Sequence, residues 1–472
     1  MSVAELSAPA GIAGSERTLS GWGRAKSSRC RVIEPRSAAE VLELLGSRAV
    51  PGGAIARGAG RSYGDAAQNA GGLVLDMTNC NGVLSIDRGR LRVRAQAGAT
   101  IAQLMAALAG EGLTLPVVPG TRHVTIAGAI ASDIHGKNHH RDGGFARHVT
   151  AISLATPAGE LHELTPVSDA ELFYATLGGM GLTGVVLEAT LAVEEMAAPL
   201  VLADVDRTES LEATLEMLSG RERHRYSVAW LDLLAPGSRM GRAVVSRADS
   251  LEIGEPRAAG QGPGRPGRAE DPLAGPAVEM PGGLGRSPLR RASMRAFNAL
   301  RWGASPRRVR EQLQPMVPFF FPLDGIGSWN ALYGAAGLIQ YQFVIPAGRE
   351  ADLESCFELI RMRRLPVYLA VFKRFGAEFG GPLSFPLEGW TLAIDMPAAT
   401  DGLLGSLAKL DEIVAGAGGR VYLSKDLRLP PETLAAMYPR LAEFAAVRAR
   451  VDPHGVLRSD LARRLGLCGA GE

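Results

Sequence analysis

Residues 54–76, AIARGAGRSYGDAAQNAGGLVLD, restrict the fold more than any other stretch. A short β-like run enters a loop with Gly58, Gly60 and Gly64. The next regular element is a second β-like run, GGLVLDMT. Bare backbone N–H groups in such a loop can close on phosphate oxygens. The dinucleotide fingerprint of a doubly wound sheet needs G-x-G-x-x-G opening a helix. Here the spacing is G-x-G-x-x-x-G and a strand follows. A P-loop is excluded as well, because no Gly-Lys-Ser/Thr follows. The loop reads as a phosphate grip outside both common nucleotide folds, or as a plain hairpin turn.

Two further stretches share this poverty in side chains. Residues 115–140, LPVVPGTRHVTIAGAIASDIHGKNHH, carry small residues through TIAGAIASDIHG. Small side chains let backbone approach a large flat ligand or another element. His135 and His139 stand four apart, as on one helix face. A zincin, however, needs H-E-x-x-H with the Glu as base. The spacer here is Gly-Lys-Asn, and a cationic Lys137 opposes a divalent ion, so no metal site is expected. LGGMGLTGVVLEATL, residues 177–191, sets four glycines before a strong strand. It suits tight packing and ligand contact equally.

The chain has 472 residues, 46% apolar and 21% charged, with a net charge of +2. That profile fits a soluble globular protein of two or three domains, and global charge points to no particular partner. Cys30, Cys80, Cys356 and Cys468 have no CxxC spacing, so buried inert thiols are expected rather than disulfides or a zinc knuckle. The first residues lack a secretory signal pattern. The uncharged run 172–187 is too short for a span and reads as helix end, turn and core strand. Residues 30–195 alternate short strands with SAAEVLELLGS, a helix capped by Ser37, and TIAQLMAALAGEG, a helix from Thr100 to about Gly110. LTLPVVPG reads as a buried strand. Beyond residue 196, PLVLADVDRTESLEATLEML reads as strand then helix. YSVAWLDLL, GLIQYQFVIP, LPVYLAVFKRFG and GWTLAIDMP read as strands, and LLGSLAKLDEIVAGAGG as a helix with a glycine cap. Gly and Pro supply 16 of the 36 residues from Ile253 to Pro288, the composition of a mobile insertion. The expected division is a flexible N-terminus at 1–19, a cofactor domain at 20–195, a substrate domain at 196–405 with an insertion at about 253–290, and a C-terminal segment at 406–472.

Together the three glycine-rich loops resemble the FAD-binding domain of the vanillyl-alcohol oxidase (p-cresol methylhydroxylase) superfamily. The resemblance implies an α+β fold: a two-subdomain FAD-binding domain of p-cresol methylhydroxylase type, plus a substrate domain with an antiparallel sheet and flanking helices. Many members bond the flavin through a histidine in the first loop. GRSYGD has none, which implies non-covalent FAD. RGAGRSYGDAAQN, PGTRHVTIAGAIASDIHGKNHH, LIQYQFVIP, VFKRFG, PLSFPLEGW, AMYPR and SDLARRL are similar, in that order, to stretches of the actinobacterial decaprenylphosphoryl-β-D-ribose 2′-oxidase family. That family is the flavin half of an epimerase making the arabinose donor for cell-wall arabinan. The similarity covers about residues 20–466 and implies oxidation of a lipid-linked ribose at its 2′-hydroxyl to the 2′-keto sugar.

By this resemblance FAD is held by Arg57, Gly58, Gly60, Ser62, Tyr63, Gly64 and Asp65, by Gly120, Thr125, Gly128, Ser132, Ile134 and His135, and by Val186 and Tyr422 at the edges. The substrate side is lined by Tyr63, Lys137, Gln340, Gln342, Lys373, Lys425, Trp230 and Ala393. Gln and Lys suit sugar hydroxyls and a phosphate. Lys425 is the preferred base, once burial lowers its pKa, with Tyr63 and His135 as rivals. Many relatives carry cysteine where this chain has Ala393, and an asparagine is expected at Thr391. Inhibitors that capture that thiol lose their covalent bond here.

The polyprenyl-phosphate sugar is the implied substrate, and a separate NADH-dependent reductase the implied partner. Nucleic acid is not expected. Between Arg286 and Arg310 lie eight arginines and no acidic residue, with Phe297 and Trp302 among them. Such a segment suits an anionic membrane surface or a solvated loop. The expected location is the cytoplasm or the periphery of the cell membrane, on either face. Competing readings are a soluble FAD-dependent sugar or alditol oxidase using oxygen, a zinc hydrolase on HxxxHH, and a non-enzymatic membrane module.

Overall fold

The structure, a computed structural model, describes residues 14–47, 50–219, 223–251, 271–281 and 285–468. Strand pairing groups most of its β structure into three larger sheets. In the first, Ser27–Ile33, Leu73–Asp76 and Ala54–Arg57 run parallel in that order. The Ala38–Gly46 helix makes the crossover, and the Ser37 hydroxyl accepts the Glu40 N–H as expected of its cap. The second sheet is antiparallel, ordered Val83–Asp87, Arg92–Gln96, Val185–Ala192, Val149–Ala155, Leu161–Leu164. The Ile101–Ala109 helix opens on a reciprocal Thr100–Gln103 capping box.

The third sheet has eight antiparallel strands: Arg308–Pro315, Leu200–Thr208, Arg242–Ser250, Tyr226–Asp232, Leu369–Phe375, Gly389–Pro397, Leu338–Pro346 and Arg420–Val421. The helices Glu350–Met362 and Leu403–Gly416 cover one of its faces with Leu353, Phe357 and Ile360, and with Leu407, Leu410 and Val414. These join one continuous buried core with Phe343, Phe372, Leu392, Ile394 and Met396. The fold is α+β, as expected, and all four cysteines are buried and unbridged.

Three expectations are corrected or bounded. The flexible N-terminus at 1–19 is shorter on its ordered side. Residues 1–13 lie outside the described residues, but Ser15–Ser20 is an edge strand paired antiparallel with Ser27–Ile33. SERTLS has one apolar side chain, so no alternation announces it; backbone pairing and a 2.8 Å Arg29–Glu16 ion pair hold it. LTLPVVPG is strand only at Leu113–Thr114, because Pro116 and Pro119 cannot donate to a ladder. Residues 115–119 are buried coil, with the Pro116 carbonyl accepting from the Asn138 amide at 2.8 Å. Of the insertion at about 253–290, residues 252–270 and 282–284 lie outside the described residues. Val278–Glu279, within it, pairs in parallel with Ile326–Gly327. The arginine-rich stretch that follows is regular too: Arg291–Ala304 is a helix and Arg308–Pro315 a strand.

Candidate active site

Side chains alternate across a strand, so residues directly opposite one another, and residues two apart, share a face. In the third sheet Trp230 lies opposite Val371, Val371 opposite Ala393, and Ala393 opposite Gln342. One step along, Leu369, Asp395 and Gln340 form a second row; one step back, Lys373, Thr391 and Val344 form a third. Trp230, Lys373, Thr391, Ala393, Asp395, Gln340 and Gln342 therefore stand on one face. The interleaved Tyr341, Phe343, Phe372, Leu392, Ile394 and Met396 stand on the other, in the core. Packing demands apolar residues at every second position and frees the rest for polar chemistry.

Loops from the first half of the chain close over this polar face. His135 Nε2 lies 2.9 Å from Gln342 Nε2. Gln342 Nε2 also donates to Thr391 Oγ1 at 3.2 Å, and the Thr391 hydroxyl donates to the Phe343 carbonyl at 2.9 Å. An amide NH2 only donates, so His135 Nε2 is the acceptor and the ring proton sits on Nδ1. Nδ1 is buried and has no partner among the described residues. The ring is clasped by Phe375, Phe385 and Tyr422, at centroid distances of 4.8, 5.6 and 5.3 Å. Just before it, Asp133 occupies a left-handed position at φ 39°, and its carboxylate accepts the Ala146 N–H at 3.0 Å. That strained residue turns the chain out of the Ile126–Ala131 helix and sets His135 on the sheet face.

Three lysines converge on the same space. Lys373 Nζ donates to the Gly136 carbonyl at 3.2 Å. Lys137 Nζ donates to the Phe319 carbonyl and lies 4.3 Å from the centre of the Phe319 ring. Lys425 Nζ lies 4.0 Å from the centre of the Tyr63 ring. None forms an ion pair with a carboxylate among the described residues. Burial lowers the pKa of Lys137 to about 7. Burial, then the charges of Lys137 and Lys425, lowers Lys373 to about 7. Burial takes Lys425 to about 8, against the opposing pull of Asp395. The acidic counterpart is Asp395, raised by burial to about 7. One of its oxygens accepts from Gln340 at 2.5 Å; the other is buried without a partner among the described residues. Burial, then the Asp395 charge, drives the Tyr63 phenol well above its ordinary value, so it is neutral and can donate. Burial first, then Lys373, holds His135 well below its ordinary value, so it is neutral too.

The expected cofactor residues form the adjoining wall. Gly58 and Thr125 bring the first two loops into contact: a Cβ on Gly58 would stand 2.1 Å from Thr125 Oγ1. A Cβ on Gly64 would stand 1.7 Å from the Asp426 carbonyl. Tyr63 N–H donates to the Ser424 carbonyl at 2.9 Å, and Tyr422 O–H to the Ser132 carbonyl at 2.8 Å. Residues 422–426 are thereby fastened to both loops, and Lys425 to its place. Thr125 caps the Ile126–Ala131 helix and accepts the Gly128 N–H at 3.3 Å. That helix packs against the Val185–Ala192 strand, which carries Val186. Ser132 and Ile134 are buried on either side of Asp133.

Two expected cofactor side chains are committed elsewhere. Arg57 donates to the Ala67 and Ser20 carbonyls at 3.0 and 2.8 Å, shaping its own loop beneath Gly60. Asp65 is fully buried and bonded to Arg464 and Lys26. The expectation missed Asp395. Its signal is the alternation in TLAIDM, where an acid takes a position that packing reserves for the open face. The histidines of HGKNHH also part company. His139 Nδ1 accepts the Gly376 N–H at 3.2 Å, and His140 Nε2 lies 3.1 Å from the His224 carbonyl. Among the described residues no cluster of His, Cys, Asp or Glu is arranged to hold a metal ion.

A family model described as an FAD binding domain matches residues 31–165, and one described as D-arabinono-1,4-lactone oxidase matches residues 406–465. The chain is 40% identical to the decaprenylphosphoryl-beta-D-ribose oxidase of Mycolicibacterium smegmatis, over 96% of this chain and 98% of that one. It is 26% identical to the L-gulono-1,4-lactone dehydrogenase of Mycobacterium tuberculosis, over 92% and 95%. It is 24% identical to an alditol oxidase of Streptomyces, over 92% and 95%. The residues present fit FAD. The His135 Nδ1–H donor is buried and lacks a partner among the described residues. Gly120 faces open space, where a Cβ would meet nothing within 4 Å, so packing within the chain gives no reason for glycine there.

Proposed function

The chain belongs to the family of decaprenylphosphoryl-β-D-ribose oxidases, and from that membership and the geometry of its polar sheet face we propose how it acts. It is an FAD-dependent oxidoreductase that converts the 2′-hydroxyl of decaprenylphosphoryl-β-D-ribose to the 2′-keto sugar. This is the first half of the epimerisation that yields the arabinose donor for cell-wall arabinan. When bound, FAD would supply the two-electron acceptor for oxidation at C2′. Everything else falls to side chains.

Gln340 and Gln342 offer amide groups to the sugar hydroxyls, and Trp230 and Ala393 floor the same row. Lys137 and Lys373, each about half protonated at pH 7 and facing no carboxylate among the described residues, bring positive charge that a phosphodiester would favour further. Lys425 accepts the hydroxyl proton. With a pKa of about 8, roughly a tenth of it is unprotonated at pH 7, enough for a general base. Tyr63 and His135 are less suited, since the phenol is neutral and His135 Nε2 already accepts from Gln342. His135 instead keeps a buried Nδ1–H free of any partner among the described residues, a donor a cofactor could use. Without a histidine in GRSYGD, FAD is held non-covalently by Gly58, Gly60, Ser62, Gly64 and the 120–135 loop.

The reading rests above all on one observation: three lysines without a carboxylate partner among the described residues surround two glutamines on a sheet face beside side-chain-poor loops. An NADH-dependent reductase consumes the keto product, and the enzyme works at the membrane periphery where its lipid substrate resides. The test is anaerobic mixing of flavin-loaded protein with decaprenylphosphoryl ribose. Bleaching of the flavin is expected with the lipid-linked sugar and not with free ribose or alditols. Bleaching by free sugars alone would overturn the substrate assignment.

A further inference from the structure

The Arg291–Ala304 helix carries apolar side chains on its outer face as well as its inner one. A helix on a soluble surface turns its apolar stripe inward and its polar face to water. Here the residues withdrawn from solvent are Met294, Asn298 and Trp302, spaced i, i+4 and i+8, with Arg291 and Arg301 reaching the body by their long side chains. Met294 packs on the Tyr333–Leu338–Tyr368 cluster. Asn298 donates to the Asp232 carboxylate at 3.1 Å, and Trp302 Nε1–H to the Thr208 carbonyl at 2.9 Å. At about 100° per residue, the opposite stripe is Ser293, Ala296, Phe297, Leu300, Gly303 and Ala304, without a charge. Phe297 is 53% exposed and Leu300 72%. Arg295 and Arg301 flank the stripe.

Charge says what covers it. Arg290, Arg291, Arg295 and Arg301 have no carboxylate ion-pair partner among the described residues. Arg290 and Arg291 donate to backbone carbonyls, and Arg301 lies 4.9 Å from the centre of the Trp230 ring. Their positive charge is therefore not neutralised. Arg308 and Arg310 differ: both pair with Asp206 and hold the neighbouring strand. The turn gripped by Arg291 adds Arg363, Arg364 and a Met362 that is 64% exposed. An uncharged apolar stripe between arginines matches one surface closely, anionic headgroups above acyl chains.

We infer that this helix docks on an anionic phospholipid bilayer by inserting Phe297 and Leu300. The docking also orients the site. Asp232 and Trp230 lie on one strand, and Trp230 shares a row with Ala393 and Gln342. The helix thus brings the membrane to the edge of the substrate face. This consequence rests on the proposed lipid-borne substrate; the docking itself does not.

Flavin-loaded protein is floated with phosphatidylcholine vesicles, with or without about one third phosphatidylglycerol. Wild-type protein should float with the anionic vesicles and be released by salt. Phe297→Ser/Leu300→Ser, at exposed positions that the fold does not use, should weaken partitioning by about tenfold or more. Arg290→Gln/Arg295→Gln should abolish the preference for anionic lipid. Turnover of a short-chain, water-soluble substrate analogue should be unchanged in the serine variant, while turnover of vesicle-borne substrate falls. Wild-type protein that ignores anionic vesicles would overturn the inference, as would a serine variant that binds them equally. A serine variant that loses only a protein partner would overturn it in favour of a protein interface. Vesicle binding without flavin bleaching would instead remove the substrate assignment and leave the docking standing.

Discussion

Two of the side chains singled out in the sequence owe their chemistry to neighbours it does not adjoin. Lys425 is an ordinary lysine until burial lowers its pKa to about 8. A base acts unprotonated, so flavin reduction should accelerate as pH rises through about 8. Lys425→Met should lose that limb and slow reduction by about 100-fold, with FAD still bound; anaerobic stopped-flow across pH checks both. His139 is the second case. Burial, then Lys373, lowers its pKa from 6.5 to about 3. Between those values the unfolded chain takes up a proton that the folded chain refuses. The stability held by the neutral ring is full above pH 6.5 and is lost as pH falls toward 3, by up to about 1.4 kcal/mol per pH unit. Thermal melts from pH 7 to 4 should show this slope, and His139→Gln should flatten it. Neither value is visible in the neighbouring sequence; for His139 in HGKNHH, desolvation is set by Phe375 and other residues remote in sequence.

Elements were legible where local periodicity or capping defines them. Ser37 and Thr100 start helices as their side chains predict, and TLAIDM and LIQYQF alternate as half-polar strands do. The Ser15–Ser20 strand was not legible, since hydrogen bonds to a partner strand rather than its own side chains create it. The arginine-rich helix was hidden for a different reason: its apolar residues are split between the body (Met294, Trp302) and the outside (Phe297, Leu300), so no single inward stripe stands out. Gly58 was legible only as a loop residue. Its need for a bare Cα comes from Thr125, 67 positions later, whose hydroxyl would meet a Cβ at 2.1 Å. Gly58→Ala should push the two loops apart, cost about 1–3 kcal/mol, and lower the flavin content of the purified protein, read from its visible absorbance.

Over the whole molecule, the C-terminus ties the two halves of the site together. Arg464 donates to Asp65 on the first glycine loop and to Asp426 on the turn that carries Lys425, at 2.8 and 2.7 Å. Removing it leaves two buried carboxylates without their shared cation. Arg464→Ala should therefore destabilise the fold by about 3–5 kcal/mol, and added FAD should recover part of the loss; thermal melts with and without FAD measure it. The amino-acid sequence by itself determined the α+β class, most strands and capped helices, the side-chain-poor loops and the family. These follow from periodicity, turn chemistry and motif order, all local along the chain. Only the tertiary structure decided which residues meet: that Asp395 joins Lys425 at one face, that Asp65 serves Arg464, that His135 is a neutral donor, and that Phe297 and Leu300 face outward. Burial and long-range contact set ionisation and orientation, and neither is written in the order of neighbouring residues.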